Sequence, residues 1–380
     1  MNKSQNVQFL EHFEIYSNKK YYCAHPHLRV TKRGIWLLIF NRSPRKPIVL
    51  HPPWDFEFQN ILMTSEDEGR TWLSKKRLIN GNLTGFECAG LIPFSENGVI
   101  INQWRFHWKF PKEIENKKNN KKIFDPNQHK KSLSSSIDLL LNSGLDINKI
   151  NFKKIFPKVR VGGECLINIL HDSYDNSYKT IKVSTHPYAG GYGMRGGIIL
   201  ENNEVFLPLS DVPNYKRIFA IRSTDNGNNW SLSKIIADEK NTEFEEPSVV
   251  LLPNGNIFML LRENISTIIH SIISKDKGIS WTKPKKTELE GYPADLLILQ
   301  EGLLACVTGN RKKPYQILMY TSDDFGETWS DKIVVKNNLI NQDLGYPTIA
   351  QRKNGEIVII YYAQNKQLVT SIHQKIIIIE

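Results

Sequence analysis

Short apolar runs recur along the chain in pairs, and a tight turn rich in Asn and Gly separates the two runs of each pair. Such a pair is typical of a β-hairpin, because Gly and Asn tolerate the positive φ angles that a tight turn requires. The pattern therefore predicts six hairpins. Their turns fall at Arg33-Gly34, Asn97-Gly98, Asn202-Asn203, Asn254-Gly255, Glu301-Gly302 and Asn354-Gly355.

A second pattern, S-x-D-x-G-x-[STN]-W, also repeats, and it predicts a hairpin turn of another kind. The Gly supplies a positive φ angle, the Asp carboxylate and the hydroxyl groups bond turn amides, and the Trp packs under the turn. From a degenerate copy at Ser173–Thr180 onward, the ends of the copies are 48 to 51 residues apart. The four full copies are Ser65–Trp72, Ser223–Trp230, Ser274–Trp281 and Ser322–Trp329.

The two kinds of hairpin alternate, so each repeat contains four antiparallel strands. Such units arranged radially form a β-propeller, and the chain is predicted to be all-β, a six-bladed propeller in one domain spanning 1–380. The sixth unit lacks the S-x-D turn, and we expect the segment near Glu14 to Tyr16 to supply its fourth strand and close the ring. The units run roughly over 25–83, 84–190, 191–240, 241–288, 289–337 and 338–380.

The second unit is longer than the others by about one repeat, and an insertion at 107–158 accounts for the difference. Its KKNNKK run predicts a solvated segment. The stretch SLSSSIDLLLNSGLDI, residues 132–147, predicts one short helix, because a serine N-cap precedes Leu and Ile at helical spacing and a glycine follows. The insertion leaves blade 2 between its second and third strands, on the face opposite the S-x-D turns, where it is expected to form a lid or rim.

Composition adds expectations about location. The chain is 40% hydrophobic and 23% charged, has no long apolar run, and does not begin with the apolar core of a secretion signal. We therefore expect no transmembrane segment and a cytoplasmic location. The four cysteines are far apart and form no metal-binding pair, so they are interpreted as buried thiols in a reducing compartment. They are Cys23, Cys88, Cys165 and Cys306.

The net charge of +11 is concentrated in the insertion. Residues 107–158 hold 12 lysines and 5 acidic residues, a net +7, which leaves only +4 for the rest of the chain. That remainder is too small for a basic groove, so we expect no nucleic-acid partner. One alternative is that the insertion docks on an anionic membrane or polysaccharide surface.

Alternating strand direction sorts candidate residues by face. The face opposite the S-x-D turns holds three parts of each blade: the start of the first strand, the end of the second strand and the connection that follows it. Arginines on this face suit an anionic ligand, because guanidinium binds carboxylate in bidentate fashion, although any single Arg could simply pair with a neighbouring acid. The candidates are Ala24, His25, Arg42, Asp55, Glu87, Arg105, Arg195, Asp211, Glu246, Arg262, Tyr292, Asp295, Arg311 and Tyr346.

The S-x-D turns resemble the Asp-box (BNR) repeats of the sialidase (neuraminidase) superfamily, and the likeness extends to catalytic segments. EEPSVVLLPNGNIFMLLR resembles the strand pair that begins with the catalytic Glu and ends with a carboxylate-binding Arg, which map to Glu246 and Arg262. GNRKKPYQILMYTSDDFGETW is similar to the segment that carries another such Arg, here Arg311. DLGYPTIAQRKNGEIVIIYY resembles the segment with the nucleophilic Tyr, here Tyr346. PPWDFEFQNILMTSEDEGRTW places Asp55 where the family keeps its acid/base Asp.

The resemblance implies an exo-glycoside hydrolase that removes a terminal sialic or related ulosonic sugar from an acidic glycan. Tyr346 would be the nucleophile, Glu246 its base and Asp55 the acid/base, while Arg262 and Arg311 would bind the substrate carboxylate. A neutral Tyr suits an anomeric carbon that bears a carboxylate, since an Asp or Glu nucleophile would be repelled. Neither a cofactor nor a metal is implied.

One departure from the family pattern concerns the first arginine. Sialidases open blade 1 with an aromatic residue followed by Arg-Ile-Pro, whereas this chain has CAHP, with Ala24 at the Arg position. Either two arginines remain, or His25, Arg42 or Arg195 compensates. Kdo or another acidic sugar is therefore as open as sialic acid.

The same residues also allow structural or non-catalytic interpretations. A second Gly-Tyr-Pro triplet at 291–293 indicates that Tyr346 could be structural. Asp55 could cap the turn at Trp54, and His25 suits a pocket wall or core better than a metal site. The whole chain could be a non-catalytic carbohydrate-binding propeller that kept its arginines.

Overall fold

A computed structural model describes residues 6–47, 51, 54–73, 77–115, 151–155, 157–173, 175, 177–232 and 234–379. Within these residues the strands form six antiparallel sheets. In five of them the strands follow one another in chain order from the inside of the ring outward, and in the sixth the N-terminal strand is outermost. The prediction of an all-β, six-bladed propeller is confirmed. All six predicted Asn- and Gly-rich turns join the first and second strands of their blades.

The strand bounds are as follows. Strand β1 (Val7–Ser17) belongs to blade VI, and blade I contains β2 (Tyr21–Val30), β3 (Trp36–Pro44), β4 (Gln59–Ser65) and β5 (Arg77–Ile79). Blade II contains β6 (Gly90–Pro93), β7 (Val99–Lys109), β8 (Val159–Leu170) and β9 (Lys179–Val183). Blade III contains β10 (Gly191–Tyr192), β11 (Ile198–Ile199), β12 (Val205–Asp211), β13 (Ile218–Ser223) and β14 (Ser231–Leu232).

The remaining three blades complete the ring. Blade IV contains β15 (Phe244–Leu251), β16 (Ile257–Glu263), β17 (Ile269–Ser274) and β18 (Lys285–Lys286). Blade V contains β19 (Asp295–Ile298), β20 (Leu304–Asn310), β21 (Gln316–Ser322) and β22 (Ile333–Lys336). Blade VI contains β23 (Gly345–Gln351), β24 (Ile357–Gln364), β25 (Thr370–Ile379) and the N-terminal strand β1.

The core lies between neighbouring blades, where apolar faces of adjacent sheets pack together. Between blades III and IV, for example, Phe206 of β12 packs in one buried cluster with Met259 of β16. Between blades V and VI, Met319 of β21 shares a cluster with Ile359 of β24. Because each sheet is covered on both faces in this way, its strands read as continuous apolar runs more often than as strict alternation.

Strand β1 closes the ring, as the sequence predicts. It pairs antiparallel with β25, with Glu14 opposite His373, and becomes the outermost strand of blade VI. First strands of neighbouring blades also contact each other across the junction of blades VI and I, where β2 meets β23. The two ends of the chain therefore share one sheet.

Deletion of residues 1–17 is expected to lower the thermal unfolding midpoint by at least about 10 °C, because it removes every ladder bond between β1 and β25 and exposes a sheet edge. Circular dichroism melting measures the change. Deletion of residues 1–5 alone, which leaves β1 intact, serves as the control and should shift the midpoint by less than about 2 °C. Equal midpoints for the two deletions would show that the ring does not depend on this strand.

The S-x-D turns have the predicted geometry. In the last copy, Ser322 Oγ donates a hydrogen bond to Asp324 Oδ1 at 2.7 Å, and Gly326 N, at a φ of 93°, donates to Ser322 Oγ at 2.8 Å. Thr328 N and Oγ1 donate to the same carboxylate at 2.9 and 2.6 Å. The tryptophans that end the four copies are partly buried against the apolar core. These turns are structural, and they leave the opposite face free for chemistry.

The insertion lies between the second and third strands of blade II as predicted, but strand β7 continues to Lys109, so residues 107–109 belong to that strand. Its described ends hold two single-turn helices, α1 (Lys112–Glu115) and α2 (Phe152–Ile155). The helix predicted at 132–147 lies outside the described residues and is not confirmed. No helix among the described residues is long and apolar enough to cross a membrane. All four cysteines are buried and unpaired, as predicted.

Candidate active site

A cavity of about 1350 Å³ opens at the mouth of the propeller, on the face opposite the S-x-D turns. Residues from blades I to VI contribute to its wall. The polar members of that wall include His25, His51, Glu87, Tyr192, Glu245, Glu246, Arg262, Tyr292, Arg311, Asp343 and Tyr346. Most of the candidates that the resemblance selected therefore converge on one cavity.

Three β-bulges aim side chains into this cavity. The first strands of blades I, IV and VI each break register at an X-Pro dipeptide, and the residue before the proline is His25, Glu246 or Tyr346. Their φ angles are 56°, 51° and 45°, in the left-handed region. A non-glycine residue held there costs about 1–3 kcal/mol, and bulges beside active sites re-aim side chains in this way. His25 thus occupies the same local structure as the two predicted catalytic residues.

Tyr346 and Glu246 form a direct pair. The Tyr346 hydroxyl donates a hydrogen bond to Glu246 Oε1 at 2.5 Å, and Arg262 Nη1 donates to Glu246 Oε2 at 2.8 Å. The same Arg262 nitrogen lies 3.5 Å from the Tyr346 hydroxyl. Both Tyr346 and Glu246 are buried. A buried carboxylate that accepts from a phenol and is fixed by a guanidinium can take the phenol proton.

The pKa shifts within this pair agree with that role. Burial raises the pKa of Glu246, but the Arg262 charge and its hydrogen bond outweigh burial, and the pKa falls below its ordinary value. Burial and the Glu246 carboxylate raise the pKa of Tyr346 well above its ordinary value. At neutral pH the glutamate is therefore ionised and the tyrosine is protonated.

Two guanidinium groups lie beside the pair. Arg311 Cζ is 5.1 Å from the Tyr346 ring centroid, and Arg262 Cζ is 4.4 Å from the centroid of Tyr292. Arg311 Nε and Nη2 are buried and make no hydrogen bond with any described residue. Unpaired buried donors are costly, so these nitrogens are suited to an anionic ligand in the cavity.

On the other side of Tyr346 lies a pair of histidines. The His25 ring meets the Tyr346 ring edge-on, with centroids 4.3 Å apart. His25 Nδ1 is 2.9 Å from Asn41 Oδ1, and His25 Nε2 is 3.1 Å from His51 Nδ1. Sequence analysis did not select His51. Its only signal was its position in the connection after β3, which the face argument assigns to the cavity side.

A second group of carboxyls lines the wall next to Glu246. Tyr215 donates to Glu87 Oε1 at 2.8 Å, and burial raises the pKa of Glu87 to about 8. Glu245 accepts from Tyr192 at 2.7 Å and from Asn264 at 2.8 Å. Burial and the neighbouring carboxylate raise the pKa of Glu245. This wall is polar and rich in hydrogen-bonding groups that suit sugar hydroxyls.

The structure does not bring Asp55 to the cavity. Its carboxylate accepts from Ser43 Oγ at 2.7 Å and from Lys46 Nζ at 2.6 Å, and it also accepts from the amide of Glu57. Asp55 is absent from the described residues that line the cavity. The expectation that it is the acid/base therefore lacks support from the geometry, because its lone pairs already serve this local network.

Arg42 and Arg195 also differ from the expectation that they compensate for Ala24. Arg42 packs on the Tyr21 ring at 4.2 Å, and neither it nor Arg195 is among the described residues of the cavity wall. Arg195 is fully buried between β10 and β11, with its Cζ 5.9 Å from the Tyr346 ring centroid. Arg195 Nε and Nη2 are buried and make no hydrogen bond with any described residue, as at Arg311, but Arg195 is not among the described residues that line the cavity.

Other candidates on this face have structural partners. Asp295 pairs with Arg29, Arg105 pairs with Glu164, and Asp211 accepts from two amides of the turn that follows it. Ala24 is fully buried and offers no donor. Within the part of the chain that the structure describes, no three His, Cys, Asp or Glu side chains are placed to hold one metal ion.

Comparison with known proteins finds one matching family model and several solved structures with the same fold. Residues 177–359 match the family model of the BNR repeat-like domain, and no curated protein sequence matches the chain. A protein of unknown function from Dyadobacter fermentans has a TM-score of 0.78 at 21% identity, over 98% of this chain and 99% of that one.

Two structures of named enzymes are similar at lower identity. A point mutant of the NanB sialidase from Streptococcus pneumoniae has a TM-score of 0.65 at 14% identity, over 96% of this chain and 70% of that one. An α-L-arabinanase from Penicillium chrysogenum has a TM-score of 0.60 at 11% identity, over 97% and 98%. The TM-scores show a shared fold, and at such low identities the substrate has to be argued from the side chains of the cavity.

Proposed function

We propose that this sialidase-like BNR-repeat propeller is an exo-acting glycoside hydrolase that removes a terminal acidic sugar, a sialic or related ulosonic acid, from a glycan. The observation that carries the proposal is the 2.5 Å hydrogen bond from the Tyr346 hydroxyl to Glu246, with Arg262 bonded to the same carboxylate. A tyrosine with a base in direct contact is the nucleophile that such a sugar requires. Asp and Glu nucleophiles would be repelled by the carboxylate on its anomeric carbon.

The first step of the proposed reaction uses groups that already touch. Tyr346 oxygen attacks the anomeric carbon, its proton passes to Glu246, and the bond to the leaving oxygen breaks as that oxygen takes a proton from a general acid. Water then attacks the same carbon and loses a proton to the conjugate base of that acid, and Tyr346 leaves with its proton returned from Glu246. Glu246 is ionised in the free protein, so no prior proton transfer is needed before attack.

The substrate carboxylate is proposed to bind between Arg262 and Arg311. Arg262 Nη1 lies 3.5 Å from the Tyr346 hydroxyl, Arg311 Cζ lies 5.1 Å from the Tyr346 ring centroid, and two donors of Arg311 are buried without a described partner. A carboxylate at that place would satisfy them and fix the anomeric carbon next to the nucleophile. Ala24 contributes nothing, so the clamp has two arginines instead of three.

The proposal is tested by fluorogenic release from a panel of aryl α-glycosides that contains sialic acid, Kdo and a neutral sugar. We expect turnover on at least one acidic member and none on the neutral one. Arg311→Ala should raise KM for that member at least about tenfold, since it removes a charged partner of the carboxylate. Saturable binding of acidic glycans by the folded protein, with no release from any member, would indicate a carbohydrate-binding propeller instead.

A further inference from the structure

We propose that His51 is the acid/base residue of this site and that His25 positions it. The inference rests on the proposed glycosidase function and replaces the expectation for Asp55. It is carried by the juxtaposition of the histidine pair with Tyr346 in the same cavity wall.

The hydrogen bonds around His25 determine which nitrogens of the pair carry protons. Asn41 Oδ1 is an acceptor, so His25 Nδ1, at 2.9 Å from it, carries a proton. The neutral His25 ring then offers Nε2 as an acceptor, and His51 Nδ1, 3.1 Å away, donates to it. His51 Nε2 is left as the site where a proton is gained or lost.

His51 Nε2 is placed for exchange with a ligand. The His51 side chain is 30% exposed and lines the cavity, whereas His25 is buried. Asp343 Oδ1 lies 3.9 Å from His51 Nε2, close enough to stabilise an imidazolium. Asp343 itself is held in place by Tyr22 at 2.8 Å and Tyr362 at 3.0 Å, so its position does not depend on His51.

A costly backbone conformation fixes the position of the His25 ring. His25 adopts a φ of 56° in the same kind of bulge that presents Glu246 and Tyr346. As a core histidine it would not need this conformation. The bulge aligns the His25 ring edge-on to Tyr346 and its Nε2 toward His51.

Burial, together with the nearby charges, sets the protonation of His51 in the free protein. Burial, His25, Arg311 and Arg262 lower its pKa well below the ordinary value, and Glu246 opposes them. His51 is therefore neutral before substrate binds. A substrate carboxylate between the two arginines would offset their charge, and proton uptake by His51 would accompany binding.

His51 Nε2 gives up one proton and takes up one proton over the two steps of the reaction. In the first step, protonated His51 Nε2 gives its proton to the leaving oxygen as Tyr346 bonds to the anomeric carbon. In the second step, neutral His51 Nε2 takes a proton from the attacking water. Asp55 is a poor candidate for either transfer because Lys46 and Ser43 already donate to its carboxylate.

The kinetic test compares two substrates of the acidic sugar identified by the panel. A 4-nitrophenyl glycoside has a leaving group that departs without a proton, whereas a methyl glycoside requires one. His51→Ala is expected to lose at least about 100-fold more kcat/KM on the methyl glycoside than on the 4-nitrophenyl glycoside. Asp55→Asn, the matched control, should lower both by the same factor. Equal losses for His51→Ala, or the split in Asp55→Asn, would overturn the proposal.

A second measurement needs no turnover. Long-range ¹H–¹⁵N NMR of uniformly labelled protein reports the tautomer of each histidine, with His51→Gln and His25→Gln spectra for assignment. We expect His51 with its proton on Nδ1 at pH 8, and a doubly protonated ring at pH 6 only after a 2,3-dehydro ulosonic acid is added. The opposite tautomer, or no proton uptake with bound ligand, would overturn the proposal. An inactive wild type with the expected spectra would contradict the hydrolase function alone.

Discussion

Tyr346→Phe should lower kcat/KM on the best acidic glycoside at least about 1000-fold, because it removes the only atom of that side chain able to bond to the anomeric carbon. The ring and its contacts with His25 remain, so the fold is expected to persist. Glu246→Gln should cause a loss of similar size, since an amide cannot accept the proton that Tyr346 releases. Initial rates of release of the fluorescent aglycone measure both.

Tyr361→Phe is the matched control for loss of a tyrosine hydroxyl. Tyr361 lies in the same blade as Tyr346, but its hydroxyl contacts His12 and it does not line the described cavity wall. Its kcat/KM should stay within about threefold of wild type. Values within threefold for both Tyr346→Phe and Glu246→Gln, a loss under about 1 kcal/mol, would refute the mechanism.

The pKa shifts of Glu246 and His51 determine how kcat/KM changes with pH. Arg262 keeps the pKa of Glu246 below its ordinary value, so the base stays available well into the acid range. His51, whose pKa is lowered by burial and nearby charges, becomes protonated only as pH falls. The value of kcat/KM on a methyl glycoside should therefore rise as pH falls from 8 toward 5, and His51→Ala should flatten this limb.

The blades could be predicted because their signals are local. A turn such as Asn254-Gly255 needs only its own backbone conformation, and the Ser322–Trp329 turn is satisfied by its own side chains. Ring closure by the segment near Glu14 followed from counting strands. None of these steps required knowledge of which side chains meet across the cavity.

Site residues could be proposed from the sequence where blade topology fixes their place along a strand. Glu246 and Tyr346 lie near the starts of first strands, so blade topology places both at the same end of the ring. Asp55 and His51 both occupy the connection after β3, where a few residues of loop path decide which side chain reaches the cavity. Arg195 was expected to face the ligand, but it is fully buried at the break between β10 and β11, which no period in the sequence reveals.

Asp295→Ala should lower the free energy of unfolding by about 3–5 kcal/mol, the largest stability loss we expect from a single substitution in this chain. Asp295 is fully buried, and its carboxylate accepts from Arg29 at 2.8 and 3.0 Å, from Thr348 Oγ1 at 2.6 Å and from the amide of Ile349 at 3.2 Å. It thereby joins blades V, I and VI near the axis. Its removal leaves the Arg29 guanidinium, which is largely buried, without its counter-charge.

The contribution of Asp295 also has a defined pH window. Burial raises its pKa, but the charge and hydrogen bonds of Arg29 outweigh burial and hold the pKa far below the ordinary value. A group with a lowered folded-state pKa stabilises fully above the unfolded pKa, near 4, and loses that effect as pH falls toward the folded value. Urea unfolding at pH 7 and pH 3 should therefore show a smaller difference between wild type and Asp295→Ala at pH 3.

Glu290→Gln, which removes the exposed pair with Lys332, is the control and should cost under about 1 kcal/mol at pH 7. Equal losses for the two variants at pH 7 would mean that the Asp295 network is not what holds these three blades together.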